Sequence, residues 1–257
     1  MSRSALLLFA VLSGCAPWAA VTGDYEGAVG APSNGFLVNP SFLTADPDVL
    51  RLYRGAARQA GTPALTSLIA ASARAAAARH PRSTLAVGDL SATPGGFISG
   101  HRSHRTGLDA DLGFAARAMD GRSRRGDPVI PYDRFGVALD GDDIFVFDTA
   151  KNWAVVEALL TSGDARVQWI FVSRGLKAQL LRYALRSGAD LSLIERAIEV
   201  LHQPRDAAPH DDHFHVRICC PPDSGACEQL PPRQRCGWTQ PSYADDDAIL
   251  ALSLEGL

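Results

Sequence analysis

The 257-residue sequence has no apolar run of eighteen residues, so nothing in it is long enough to cross a bilayer as a helix. It has no surplus of positive charge. Its 25 Lys and Arg stand against 28 Asp and Glu, and a net charge of −3 argues against a nucleic-acid partner. The HExxH helix motif, the GxSxG elbow and the phosphate-loop pattern are all missing. Their absence removes three common enzyme readings. No internal repeat is visible. What is present is ordinary for a globular chain: 46% apolar and 21% charged residues, in a length that allows one large domain or two small ones.

The first residues read as an address. Arg3 supplies a short positive region, and Ala5 to Leu12 form an eight-residue apolar stretch, long enough for export and too short to span. Leu12-Ser13-Gly14-Cys15 resembles the bacterial lipobox, in which the cysteine is lipidated and becomes the first mature residue. The expected organisation is a signal at 1–14 with lipidated Cys15, a Gly- and Pro-rich linker at 15–40, the main domain at 41–243 and a short tail at 244–257. Ala16 rather than aspartate at the second mature position resembles outer-membrane sorting. The expected location is therefore the periplasm, tethered to a membrane by lipid.

The remaining cysteines fit export. Cys219, Cys220, Cys227 and Cys236 lie within eighteen residues, and an even number in an oxidising compartment reads as disulfides. Four cysteines allow three connectivities. A vicinal Cys219–Cys220 bond would strain its own peptide, which leaves two. Of these, Cys220–Cys227 inside Cys219–Cys236 is favoured, because it closes two nested Pro-rich loops. A four-thiolate zinc site is the weaker alternative, since it normally uses CxxC pairs and none is present.

Strands and helices alternate without regular βαβ spacing. Helices are expected over 46–58, 63–79, 151–160, 176–186 and 191–201, and strands over 84–90, 108–114, 144–147, 166–173 and 212–219. The stretch 115–143 reads as a polar surface excursion. The pattern predicts an α+β fold, with a mainly antiparallel sheet and flanking helices.

Five of the seven histidines fall in two short windows. In the first, His101 and His104 precede Leu108-Asp109-Ala110-Asp111. On a strand, Asp109 and Asp111 share one face, and Gly100 and Gly107 allow His104 to turn back toward Asp111. In the second, His210-Asp211-Asp212-His213-Phe214-His215-Val216-Arg217, the strand period puts His213, His215 and Arg217 on one face. Together the windows offer His104, Asp111 and His215 as three ligands of a catalytic Zn2+, with a fourth position left to water. His213 stands beside them as a base for that water. Asp109 is expected to orient an imidazole. Arg102 and Arg105 are candidates for substrate carboxylates, and equally for plain exposed charge. His80 and His202, each at a helix end, read as surface caps, and Asp148 as a helix N-cap.

The pattern H-x-x-H-x-T-G-L-D-A-D followed far downstream by H-D-D-H-F-H-V-R resembles the penicillin-insensitive murein endopeptidases, which are LAS-type metallopeptidases. Gly88-Asp89-Leu90-Ser91, Ile170-Phe171-Val172 and the loop from Cys220 to Cys227 also fit, and the resemblance covers roughly residues 35–240. It implies a periplasmic zinc enzyme that cuts peptide cross-links of peptidoglycan, usually the D-alanyl–meso-diaminopimelate bond. The implied zinc ligands are His104, Asp111 and His215, and the implied general base is His213. The resemblance gives His210 the reacting carbonyl or its oxyanion, and His101 an auxiliary role. Related activities within the superfamily are D,D-carboxypeptidase and L-alanyl–D-glutamate endopeptidase. A non-catalytic, lipid-anchored peptidoglycan-binding protein is the alternative outside enzymes.

Overall fold

The computed structural model describes residues 25–120, 129–232 and 235–237. The signal segment, Cys15 and the 244–257 tail lie outside the described residues.

The strand period and the helix period are both written into the central part of the chain. A six-stranded sheet is built from β4 (Leu50–Leu52), β6 (Leu85–Val87), β7 (Asp109–Gly113), β11 (Val167–Phe171), β12 (Leu201–His202) and β13 (His213–Ile218). Its order is β12-β11-β13-β7-β6-β4. The three central pairings, β11 with β13, β13 with β7 and β7 with β6, are antiparallel. The outer pairings, β12 with β11 and β4 with β6, are parallel.

Four helices close one face. They are α1 (Pro63–Arg79), α2 (Thr149–Thr161), α3 (Arg174–Arg186) and α4 (Leu191–Val200). Their starts are set by local chemistry. Thr62 accepts from the Leu65 N–H ahead of Pro63, Asp148 from Lys151, and Asp190 from Ser192 and Leu193. Leu68, Ile69, Val156, Leu159, Leu180 and Ile194 from the helices meet Ala110, Leu112, Ile170, Phe214, Val216 and Ile218 from the sheet in one core. The opposite sheet face carries Asp109 and Asp111 of β7, His213, His215 and Arg217 of β13, and the rings of Trp169 and Phe171 of β11.

Three expectations change. Asp46 to Arg58 is not a helix: Leu50–Leu52 pairs with β6 as an edge strand, and only Ala56–Arg58 forms a 3-10 turn. The apolar spacing of Leu50, Leu52 and Tyr53 fits either period, and pairing with a strand thirty-odd residues away decides it. The linker reading of 15–40 fails for Gly27–Val38, where β1 (Gly27–Ala31) and β2 (Asn34–Val38) form a hairpin. It buries Ala28 and Leu37 and bonds the loop after β13, through Gly30 N–H to Ala226 and Glu228 N–H to Gly30. The 115–143 excursion contains β8 (Ala116–Ala118) and β9 (Val137–Asp140), which flank β10 (Asp143–Phe147) in a three-stranded antiparallel sheet. Residues 121–128 of it lie outside the described set. Two further short strands, β3 (Ser41–Phe42) and β5 (Ala60–Gly61), pair beside α1.

Disulfides join Cys220 to Cys227 and Cys219 to Cys236. They tie together the chain leaving β13, where Cys227 also bridges Gly30 of the β1–β2 hairpin.

Candidate metal centre

Register brings the two histidine windows together. β7 and β13 pair so that Asp111 faces His215, Asp109 faces Arg217, and His213 faces Gly113. His104 arrives by another route, from the loop ahead of β7. Its backbone is left-handed at φ 64°, and Gly100 and Gly107 on either side also have positive φ. The His104 ring is completely buried.

Three donor atoms then form a nearly equilateral triangle. His104 Nε2 is 3.2 Å from Asp111 Oδ1, His215 Nδ1 is 3.2 Å from the same oxygen, and the two nitrogens are 3.2 Å apart. Hydrogen bonds at the far side of each ring fix which nitrogen is free. His104 Nδ1–H donates to the Leu90 carbonyl, and His215 Nε2–H donates to Asp109 Oδ1 at 2.9 Å. Both nitrogens in the triangle therefore present lone pairs to each other and to a buried carboxylate oxygen. That oxygen makes no well-aligned hydrogen bond among the described residues. Such a set asks for a cation. A small tetrahedral dication with bonds of about 2.0–2.1 Å spaces its donors about 3.3 Å apart, so the residues fit. Two looser groups, His101 with His104 and Asp111, and His210 with His213 and His215, also have donor atoms within 4.8 Å of one another. The tight triangle draws from both, and its shorter, uniform edges make it the better cradle.

The electrostatics agree. Burial alone would push His104 down, yet Asp111, Asp109 and the Leu90 carbonyl raise it. Burial would push Asp111 up, yet His104, His213 and His215 hold it well below the usual carboxylate range. Positive charge is wanted at this point.

A supporting layer surrounds the triangle. Asp109 is fully buried and accepts from Arg217 Nε at 2.7 Å, from His215 and from the His104 backbone N–H. Burial opposes its ionisation, and Arg217, His215 and His104 overcome that, leaving it strongly acidic. It orients His215, rather than pairing with Arg102 or Arg105. Arg102 instead donates to the Asp206 carbonyl, and Arg105 sits over Phe97. His101 stands 3.7 Å from Asp111 Oδ2 and bonds Asp89 at 2.9 Å. Asp89 is itself clamped by Arg58 at 2.9 Å and Arg54 at 3.8 Å.

Two imidazoles border the triangle without joining it. His213 Nε2 lies 3.4 Å from Asp111 Oδ1, while Nδ1 bonds Asp212 at 2.6 Å. Burial works against protonation, but Asp111 and Asp212 raise His213 to about 10. His210 behaves oppositely. Burial, then the neighbouring imidazoles His215 and His213, push it down to about 4, so it is neutral at physiological pH. Its Nδ1 is buried and makes no well-aligned hydrogen bond among the described residues, although the Ala208 backbone acts on the ring. A left-handed backbone at φ 52° sets its ring 5.3 Å from that of His213.

Asp89, Asp212 and Arg217 are the supporting residues to which sequence reading gave no role. Asp89 and Asp212 stood inside quoted motifs, and Arg217 shared the histidine face, so a signal existed. The Leu90 carbonyl left none. His80 does end α1 and Asp148 does cap α2. His202 is not a surface cap: it lies on β12, half-buried, 4.8 Å from the Trp169 ring.

Two imidazoles and a carboxylate converge on one point of a helix-backed antiparallel sheet, bordered by two further imidazoles, and this donor set suits a divalent metal. The model of the penicillin-insensitive murein endopeptidase family matches residues 28–250, and the chain belongs to that family. Penicillin-insensitive murein endopeptidases of Escherichia coli O1:K1, of strain SMS-3-5 and of O127:H6 strain E2348/69 are each 29% identical to it over an alignment 272 positions long. The alignment covers 94% of this chain and 89% of each relative.

Proposed function

We propose that the protein is a zinc endopeptidase of the periplasm that hydrolyses peptide cross-links of peptidoglycan, with the D-alanyl–meso-diaminopimelate bond as its target. In this reading Cys15 carries the lipid that holds it at the outer membrane. The observation that carries the proposal is the 3.2 Å triangle of His104, Asp111 and His215 with His213 and His210 at its border. Two nitrogens and one carboxylate oxygen suit zinc, and three protein ligands are the usual number where a position is kept for catalysis.

When bound, the metal acidifies a water and polarises the scissile carbonyl. The chain's own residues do the rest. Asp111 and Asp212 alone would keep a proton on His213; a dication held by Asp111 would offset that pull, and His213, fixed through Nδ1 by Asp212, would then present a free Nε2 to the proton of the attacking water. The same ring returns it to the departing amine. His210, kept neutral by burial and by its imidazole neighbours, offers an N–H to the oxygen that gains charge. Asp109 and the Leu90 carbonyl hold the two ligand rings in the required tautomers. No side chain needs to form a covalent intermediate.

The test is muropeptide profiling by mass spectrometry, using protein lacking residues 1–15, cross-linked peptidoglycan, and zinc or a chelator. Zinc-dependent conversion of dimers to monomers is expected, with fragments cut between D-alanine and diaminopimelate. Loss of terminal D-alanine alone would make it a carboxypeptidase. Cleavage after L-alanine would make it the other endopeptidase type. An unchanged profile with metal bound would favour a binding role.

A further inference from the structure

The register that sets Asp111 beside His215 continues past the metal centre. His215 pairs with Phe171, and Phe171 with His202, so one row runs His202, Phe171, His215, Asp111 across four strands. The next row is Trp169, Arg217, Asp109. The rings touch in sequence. Phe171 is 5.3 Å from His215 and 5.5 Å from His210, Trp169 is 5.6 Å from Phe171, and His202 is 4.8 Å from Trp169. This half-buried aromatic strip leads from the candidate centre to the edge strand β12.

Its far end is cationic. The Arg235 guanidinium lies 3.7 Å above the Trp169 ring. Its Nη1 is buried and has no hydrogen-bond partner among the described residues. Lys177, Arg235, Arg205 and Arg174 all act on His202 as like charges. The acid facing this group is Glu199, whose charge acts on Arg235. Of these cations Arg235 lies against the Trp169 ring, while Lys177 is engaged by the Ile198 and Leu201 carbonyls; an anion resting beside Arg235 relieves the like-charge repulsion felt at His202.

We propose that the Phe171–Trp169–His202 strip, with Arg235 at its end, is a binding subsite for the carboxylate-bearing stem peptide of peptidoglycan. The proposal rests on the peptidoglycan reading above. Two strand spacings separate His202 from the β13 ligand, about 10 Å. That distance corresponds to about three residues of extended peptide, so the subsite reads carboxylates a few residues from the bond being cut. The rings support the aliphatic parts of the stem, and the half-buried guanidinium of Arg235 meets a carboxylate.

The experiment uses zinc-loaded protein lacking residues 1–15 and titration calorimetry with the soluble tripeptide L-alanyl-γ-D-glutamyl-meso-diaminopimelate. Its carboxylate-amidated form is the comparison. The wild type should bind the free acid about tenfold more tightly than the amide, as expected for loss of one charge-assisted contact. Arg235→Gln should erase that preference. Trp169→Ala should weaken both peptides, and Trp169→Phe should restore binding to within about twofold. Equal affinity of the wild type for acid and amide, or an unchanged preference in Arg235→Gln, would overturn the subsite. Hydrolysis of cross-linked muropeptides by the same samples separates the two proposals. Cleavage without carboxylate preference sinks the subsite alone, and preference without cleavage sinks the endopeptidase reading alone.

Discussion

The two histidine windows reach the same small site by different means. His213 and His215 sit on β13, a regular strand, and their shared face follows from the two-residue period. His104 sits in a loop, in a left-handed backbone, with its ring buried and its placement held by the Leu90 carbonyl and Asp109. A ligand on a strand inherits its position from sheet pairing. A ligand on a loop depends on a few turns and hydrogen bonds, each of which can fail separately. The first window should therefore be the fragile half of the centre and the second the robust half.

Removing a ligand from either half should have the same, largest effect. His104→Ala and His215→Ala should each leave metal content, measured by atomic emission, far below one per chain, with hydrolysis lost. Retention of stoichiometric metal by either variant would show that the triangle is drawn from the wrong residues.

Gly107→Ala should break only the fragile half. At φ +70° an alanine is strained, and its Cβ would come 2.8 Å from the Thr62 backbone nitrogen and 2.9 Å from the Leu37 methyls. A loss of about 2–4 kcal/mol is expected from strain and overpacking. Chemical denaturation would measure it, and metal affinity should fall with it. A variant as stable and as metal-competent as the wild type would mean the loop does not need this turn.

Asp109→Asn sharpens the comparison, because Asp109 serves both halves. It bonds His215 and the His104 backbone, so metal affinity should drop about 10–100-fold in competition with a chelating dye. An unaltered affinity would remove Asp109 from the account.

How much of this was legible in the sequence follows the same division. Strand alternation was enough to place Asp109 with Asp111 and His213 with His215 on shared faces. The pairing of β7 with β13, a hundred residues apart, could only be inferred from chemistry, since no local signal encodes a register. The row continuing to Phe171 and His202 was invisible for that reason, and His202 passed for a helix cap. Pro63 to Arg79 was legible to the residue because Thr62 and Pro63 mark its start. The Gly-rich β1–β2 hairpin and the β4 edge were misread, because what makes them strands is tertiary contact and not propensity.

The smallest effect concerns Lys177, which braces the end of α4 by donating to the Ile198 and Leu201 carbonyls at 2.7 Å. Burial, then Arg235, lower it from 10.5 to about 8. Between those values the unfolded chain binds the extra proton, so this group makes stability rise with pH across that window. Lys177→Met should flatten the rise in a pH series of denaturation curves, whereas a slope identical to the wild type would contradict the shift.

The central claim is that His213 serves the reaction and not the metal. The direct measurement is metal content and muropeptide hydrolysis on one sample of His213→Ala. The account predicts full metal occupancy with hydrolysis reduced about 10²–10⁴-fold, the range for loss of a general base. Hydrolysis at the wild-type rate, or loss of the metal together with activity, would contradict it.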